Sequence, residues 1–164
     1  RYHDWKTNWK LGEVAKTALW VFGAQGLGLV IMSLPNALIN YFSGPDFHNI
    51  GALILWFFGF YYETIADYQL YLFRDNPRNK DRLLQRGLWS KSRHPNYFGE
   101  FLIWCGMSLM ALSVPHGWYA LITPVFAYLV LRYFSAEKVE SVLRKHPDFD
   151  AYQNKVPLFF PKFW

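Results

Sequence analysis

Long apolar runs alternate along the chain with short polar stretches that hold most of the charge. Four of the runs approach the roughly 20 residues that a helix needs to cross a bilayer, at about 14–39, 50–73, 97–114 and 118–134. The first carries Gly23, Gly26 and Gly28, which predicts close approach of a neighbouring helix to its backbone. The second is purely apolar from Ala52 to Phe60 and then admits Glu63, Asp67 and Gln69. Glu100 sits one turn inside the third. The fourth contains Pro124, which predicts a kink, and Arg132 near its end. Residues 137–145 read as an amphipathic interfacial helix with Val139, Val142 and Leu143 on its apolar side, broken by Pro147. The terminal aromatics around Phe159, Phe160, Phe163 and Trp164 are expected at the membrane surface. The predicted fold is therefore an all-α integral membrane protein: one domain over 1–164, with about four transmembrane helices and a short C-terminal interfacial helix.

The loops supply an orientation. Arg1, Lys6 and Lys10 precede the first run, and Arg74, Arg78, Lys80, Arg82, Arg86, Lys91 and Arg93 separate the second from the third. Lys138, Arg144, Lys145, Lys155 and Lys162 follow the fourth, whereas 41–49 and 115–117 contain no Lys or Arg. This alternation predicts both termini and the 74–96 loop on the cytoplasmic or matrix side.

Composition sharpens the picture. Hydrophobic residues make up 52% of the chain and charged ones only 18%, against about 25% in an ordinary soluble domain. The near-zero mean hydropathy of -0.01 understates this, because the charges are clustered. The net charge of +5 flanks the apolar runs, which suits membrane orientation, anionic lipid or an anionic cofactor, and not nucleic acid. Cys105 has no internal partner and is expected as a buried structural thiol. The opening segment 1–6 is polar and aromatic and is not expected to be a signal peptide.

Ionisable groups within membrane helices are costly and mark function by default. Glu63, Asp67 and Arg74 share one helix face by spacing. The plain alternative is a buried ion network with Arg82 or Arg132. In the basic loop, Pro95 biases His94 away from helix and makes a natural helix start, so Asn96, Tyr97 and Glu100 fall in the first turns. Free N–H groups at that start, with Arg93 and His94 beside them, suit a phosphate or a nucleotide. The plain alternative here is an interfacial anchor, with Arg93 on lipid phosphate and Trp89 in the headgroup belt. Arg132 could serve a phosphate or snorkel to the surface. No Cys/His spacing suggests zinc, so no metal is expected. No Rossmann or Walker glycine pattern is present.

The stretches Glu63-Thr64-Ile65-Ala66-Asp67-Tyr68-Gln69-Leu70, Gly87-Leu88-Trp89 and Arg93-His94-Pro95-Asn96-Tyr97-Phe98-Gly99-Glu100 together resemble the steroid 5-alpha-reductase-like membrane protein family (domain-of-unknown-function 1295 type), in its C-terminal portion. Tyr152, Phe160-Pro161, Arg1-Tyr2, Trp5, Gln25-Gly26 and Ser33-Leu34-Pro35 also fit. The resemblance implies NADPH held among C-terminal helices and reduction of a steroid- or lipid-like enone or sterol-type double bond. It would place Asp67, Arg74 and Arg82 on the nucleotide, and Asn96 and Glu100 on its adenine or nicotinamide half. Arg93, His94, Tyr97 and Arg132 would then lie along the phosphates. No catalytic residue is assigned. Two departures stand out. The upstream helices that supply acid and tyrosine groups in the family have no counterpart in this stretch, and Ala136-Glu137-Lys138-Val139-Glu140 is more polar than the family's small apolar run. The Arg-His-Pro-x-Tyr-x-Gly core is also similar to membrane isoprenylcysteine methyltransferases, which use S-adenosylmethionine. Three readings follow: an NADPH-dependent reductase; a methyltransferase of that kind; and a non-catalytic accessory subunit of a larger membrane complex. Expected partners are membrane lipids, a lipid-like substrate and, under the third reading, other membrane subunits.

Overall fold

A computed structural model describes residues 11–42, 49–80 and 82–162, and every element in them is helical. The expectations for 1–10, for most of the 41–49 loop and for Phe163 and Trp164 lie outside the described residues. Helix α1 spans Leu11–Tyr41 and α2 spans Ile50–Asp75. Helix α3 spans Pro95–Ala111. A 3₁₀ turn, Gly117–Leu121, leads into α4, Ile122–Leu129, which passes through a π-helical segment, Val130–Ser135, into α5, Ala136–Leu143. Helix α6, Phe149–Lys155, closes the series and was not anticipated from sequence.

Local chemistry fixes the ends. Asn49 caps α2: its side-chain oxygen accepts from Ala52 N at 3.1 Å, and its amide donates across to the Leu109 carbonyl of α3 at 2.9 Å. At the other end Asn76 is extended, as a residue before proline must be, and Pro77 stops the helix. Pro95 occupies the first turn of α3, where its missing N–H costs nothing. Pro124 falls just after the 3₁₀ turn passes into α4, inside the longer rod Gly117–Leu143. The irregularity of that rod is the π segment further on.

Two stretches, Ala15–Tyr41 and Gly117–Leu143, are long and apolar enough to cross a membrane. The other two predicted spans fall short of that description for different reasons. Helix α2 has the length, but its second half carries Glu63, Asp67 and Gln69. Helix α3 has only 17 residues, about 26 Å of rise.

Helices α2 and α3 make the main packing contact, and glycines permit it. A β-carbon at Gly99 would stand 2.6 Å from the backbone nitrogen of Glu63, and one at Gly59 2.8 Å from the Gly99 carbonyl. At Gly106 it would meet the backbone of Trp56 at 2.8 Å. Of the three glycines singled out on α1, Gly28 would set a β-carbon 3.5 Å from the Phe126 ring, an ordinary contact, whereas Gly23 and Gly26 meet nothing within 4 Å among the described residues. Nearby Leu19, Trp20, Phe22 and Leu27 are exposed, so among the described residues no helix covers this face of α1.

Prolines leave backbone acceptors that other helices fill. Pro35 cannot return an N–H to the Ile31 carbonyl, and Thr123 Oγ donates to that oxygen at 2.8 Å. Pro124 does the same to Ala120, whose carbonyl takes the Ser108 hydroxyl at 2.8 Å. Thr123, Ser108 and Pro35 are all fully buried. Cys105 is half-buried and free.

The C-terminal segment folds back as a strap. Arg93 N donates to the Pro157 carbonyl, His94 N to that of Leu158, and Lys162 N to that of Lys91. Ser92 Oγ, buried, donates to the Phe159 carbonyl at 2.8 Å. Phe159 is 3% exposed and packs among Phe98, Phe101 and Tyr128, so this aromatic is a core residue and not a surface anchor.

Candidate functional site

A cavity of about 660 Å³ opens between the end of α2, the 76–89 loop, the start of α3, and helices α5 and α6. Its walls carry the cations Arg74, Lys80, Arg82 and Arg93, the polar Asn76, Asn79 and Asn96, and the rings of Trp89, His94, Tyr97 and Tyr152. Val139 and Leu143 of α5 supply an apolar side. Among the described lining residues there is no carboxylate. An anion with a flat, partly apolar body is the complement of such a surface.

Six of the nine residues singled out from sequence therefore line one space: Arg74, Arg82, Arg93, His94, Asn96 and Tyr97. Asp67 lines an adjoining groove with Leu70, Tyr71, Arg74 and Asp75, and Arg74 and Leu70 belong to both spaces. Glu100 and Arg132 line neither. Glu100 lies on the α2–α3 interface, within electrostatic reach of Glu63, Asp67 and Tyr97. The Arg132 guanidinium rests over the Tyr133 ring, 5.1 Å from its centroid.

Arg93 is committed elsewhere. Its Nε donates to Glu140 Oε1 at 2.6 Å and one terminal nitrogen to Glu140 Oε2 at 3.1 Å, a two-pronged pair. The other terminal nitrogen donates to the carbonyls of Gln153 and Val156. The Glu140 side chain is 3% exposed. His94 Nε2 lies 3.3 Å from the same Glu140 Oε1, and the imidazole stacks on Tyr97 with centroids 5.0 Å apart and planes within 7°. A charge in that position is held by protein groups on every side, which leaves Arg74, Lys80 and Arg82 as the cations with exposed heads.

Among the described residues the ion pairs join Arg93 and His94 to Glu140, Arg144 to Glu137 and His146 to Asp148. Neither Glu63 nor Asp67 pairs with Arg74, Arg82 or Arg132. The structural ion network considered for that stripe is not formed. Asn96 sits beside Asp67, and its side-chain oxygen is buried with no hydrogen-bond partner. A buried acceptor in that state is costly unless something donates to it.

Trp89 is 8% exposed, and its indole N–H donates to the Ala66 carbonyl at 2.9 Å. It is a wall of the cavity and not a headgroup anchor. Its own carbonyl takes the Tyr152 hydroxyl at 2.6 Å. Burial pushes the Tyr152 phenol up from its ordinary value. Gly87 reaches φ +62°, and a side chain there would strike the Gln69 amide, which accepts from Leu88 N at 2.9 Å. This turn sets Trp89 under α2.

Sequence reasoning passed over Lys80, Trp89 as a wall, Tyr152 and Glu140. Lys80 stands in the same basic loop as Arg82 and was open to the same argument. Glu140 meets Arg93 across 47 residues, and no local pattern signals such a pairing.

A family model described as "Protein of unknown function (DUF1295)" matches residues 1–156. Among curated proteins, Delta(14)-sterol reductase ERG24 of Saccharomyces cerevisiae is 29% identical over 120 residues, a match covering 66% of this chain and 26% of that protein. The chain thus spans about a quarter of that relative's length. No solved structure matches.

Proposed function

Because the chain belongs to the DUF1295 family, we propose that it is an NADPH-binding membrane protein of reductase type, acting on a steroid- or lipid-like enone or sterol-type double bond. The observation that carries this reading is the cation-walled cavity: Arg74, Lys80 and Arg82 face an aromatic and apolar interior with no carboxylate among the described lining residues. The name of the yeast relative points to the same substrate class.

The residues present fit the cofactor. Arg74, Lys80 and Arg82 would meet its phosphates, and the rings of Trp89, His94 and Tyr97 would meet its flat portions. The unpartnered Asn96 oxygen would accept from an amide or amino group of a base. Bound NADPH supplies a hydride for an electron-poor carbon of the substrate. This chain's contribution is to bind the anion, to orient it by Asn96 and the aromatic wall, and to narrow its access to water. Glu63, Asp67 and Glu100, gathered between α2 and α3, are the candidates to hold the proton that the neighbouring carbon requires.

All four helical rods α1, α2, α3 and α4–α5 cross the membrane in this reading, with the polar halves of α2 and α3 turned inward. The basic 74–96 loop lies on the cytoplasmic or matrix side with both termini. S-adenosylmethionine, a sulfonium cation, is a poorer complement to the same walls.

Titration of detergent-purified protein with NADPH and, in parallel, with S-adenosylmethionine tests the proposal. Saturable NADPH binding that is weakened by Arg74→Ala and by Asn96→Ala is expected. Binding of S-adenosylmethionine alone would move the chain to the methyltransferases. Binding of neither to folded protein would leave the accessory-subunit reading.

A further inference from the structure

A buried carboxylate normally serves either chemistry or architecture. Glu140 lies on α5, next to Val139 and one turn before Leu143, both of which line the cavity, yet it does not line the cavity itself. Its two oxygens are spent on the corner that does: Oε1 on Arg93 Nε and His94 Nε2, Oε2 on a terminal nitrogen of the same guanidinium. Ionised and paired with Arg93, it can only accept hydrogen bonds. The ring nitrogen of His94 that faces it must then carry the hydrogen, because a bare nitrogen would set two acceptors 3.3 Å apart. The backbone of His94 is pinned separately, by the Leu158 carbonyl and the Ser92 hydroxyl, so the freedom left to this residue is rotation and tautomer of the ring.

We infer that Glu140 is a positioning residue of the cavity: it holds the hydrogen on His94 Nε2, turns the imidazole flat against Tyr97, and so sets the aromatic wall between Asn96 and α5. In the same act it neutralises Arg93 and reserves anion recognition for Arg74, Lys80 and Arg82. The part of this inference that concerns the cofactor rests on the reading of the cavity as an NADPH site. The part that concerns the ring does not.

Two measurements separate them. The first is nitrogen-15 NMR of histidine-labelled protein in micelles at pH 8, with His94→Gln to assign the signal among the five histidines. Wild-type His94 is expected to carry hydrogen on Nε2, and a bare Nε2 overturns the inference outright, whether or not a Glu140 variant folds. The second compares Glu140→Gln with the wild type. The amide keeps the shape but has one acceptor in place of two, and either way round its NH2 opposes an N–H of Arg93, so the corner loosens and the ring is expected to show mixed tautomers in place of Nε2–H alone. NADPH affinity should then fall about tenfold, the scale of one charge-assisted hydrogen bond. Glu140→Asp, which keeps the charge, should retain the wild-type tautomer. A Glu140→Gln protein with the wild-type tautomer alone, or with unchanged affinity for NADPH that the wild type does bind, counts against the inference. Failure of the wild type itself to bind NADPH defeats the reading of the cavity and leaves the NMR outcome to decide the role of Glu140.

Discussion

Thr123 on α4 donates its hydroxyl hydrogen to the Ile31 carbonyl on α1, 2.8 Å away, at a backbone acceptor that Pro35 deprives of its helical partner. Two helices are joined through a defect in one of them. In a medium with little water, a freed carbonyl must find a donor from within the protein.

The coupling can be measured. Thr123→Val keeps the shape and removes the donor, and should cost about 1 kcal/mol. In a Pro35→Ala background the backbone N–H returns to Ile31, and the same substitution should cost close to nothing. A double-mutant cycle of unfolding in mixed micelles reads the difference. Equal costs in both backgrounds would show the hydroxyl to be incidental.

The α2–α3 contact predicts an asymmetry among glycines. Gly99→Ala drives a methyl group into the backbone of Glu63 and should lose about 1–3 kcal/mol. Gly23→Ala meets open space inside a helix and should be neutral or gain up to about 1 kcal/mol. Thermal unfolding in a single detergent compares them directly.

The cations of the cavity should divide into two classes. Arg74→Ala, Lys80→Ala and Arg82→Ala remove exposed heads, so each should weaken NADPH binding and flatten its salt dependence while leaving the melting temperature nearly unchanged. Arg93→Ala strands the buried Glu140 carboxylate and should destabilise the fold by about 3–5 kcal/mol. Arg132→Ala, at a residue outside the cavity lining, should leave NADPH binding unaltered. A melting temperature for Arg93→Ala as high as that of Arg74→Ala would remove the distinction.

Tyr152 offers a test by pH. Its phenol is pushed above its ordinary value of 10.0 because burial disfavours the charged form. The unfolded chain then loses that proton first. The stability tied to the neutral phenol is full below pH 10 and falls as pH rises toward the folded value. Tyr152→Phe should cost about 1 kcal/mol at neutral pH through the lost bond to Trp89. It should also lose less than the wild type between pH 9 and about pH 11. Alkaline denaturation curves of the two proteins, run side by side, decide this.

Much of the fold could be read from local rules. Pro95 announced the start of α3, and the apolar runs set the rods to within a few residues. The basic loop drew attention to Arg74, Arg82, Arg93, His94, Asn96 and Tyr97, which do line one space. The errors share a cause, which is that contact partners far apart in sequence leave no periodic trace. Gly23 and Gly26 looked like a close-packing motif, but which glycine matters depends on which helices touch, and that role fell to Gly59, Gly99 and Gly106. Phe159 looked like a surface anchor because the segment is short and ends in aromatics. Its burial depends on rings from α3 and α4. The pairing of Arg93 with Glu140 was likewise invisible, because its counter-ion sits 47 residues away in a run that reads as polar surface.

The strap has a consequence in time. Arg93 and His94 wait for Pro157 and Leu158, made 64 residues later, before their backbone N–H groups are matched. At the usual pace of synthesis, about 5–20 residues per second, the corner stands incomplete for several seconds after α2 and α3 can first meet. The rods come together early, and the corner at Arg93 and His94 gains its backbone partners only when the tail arrives.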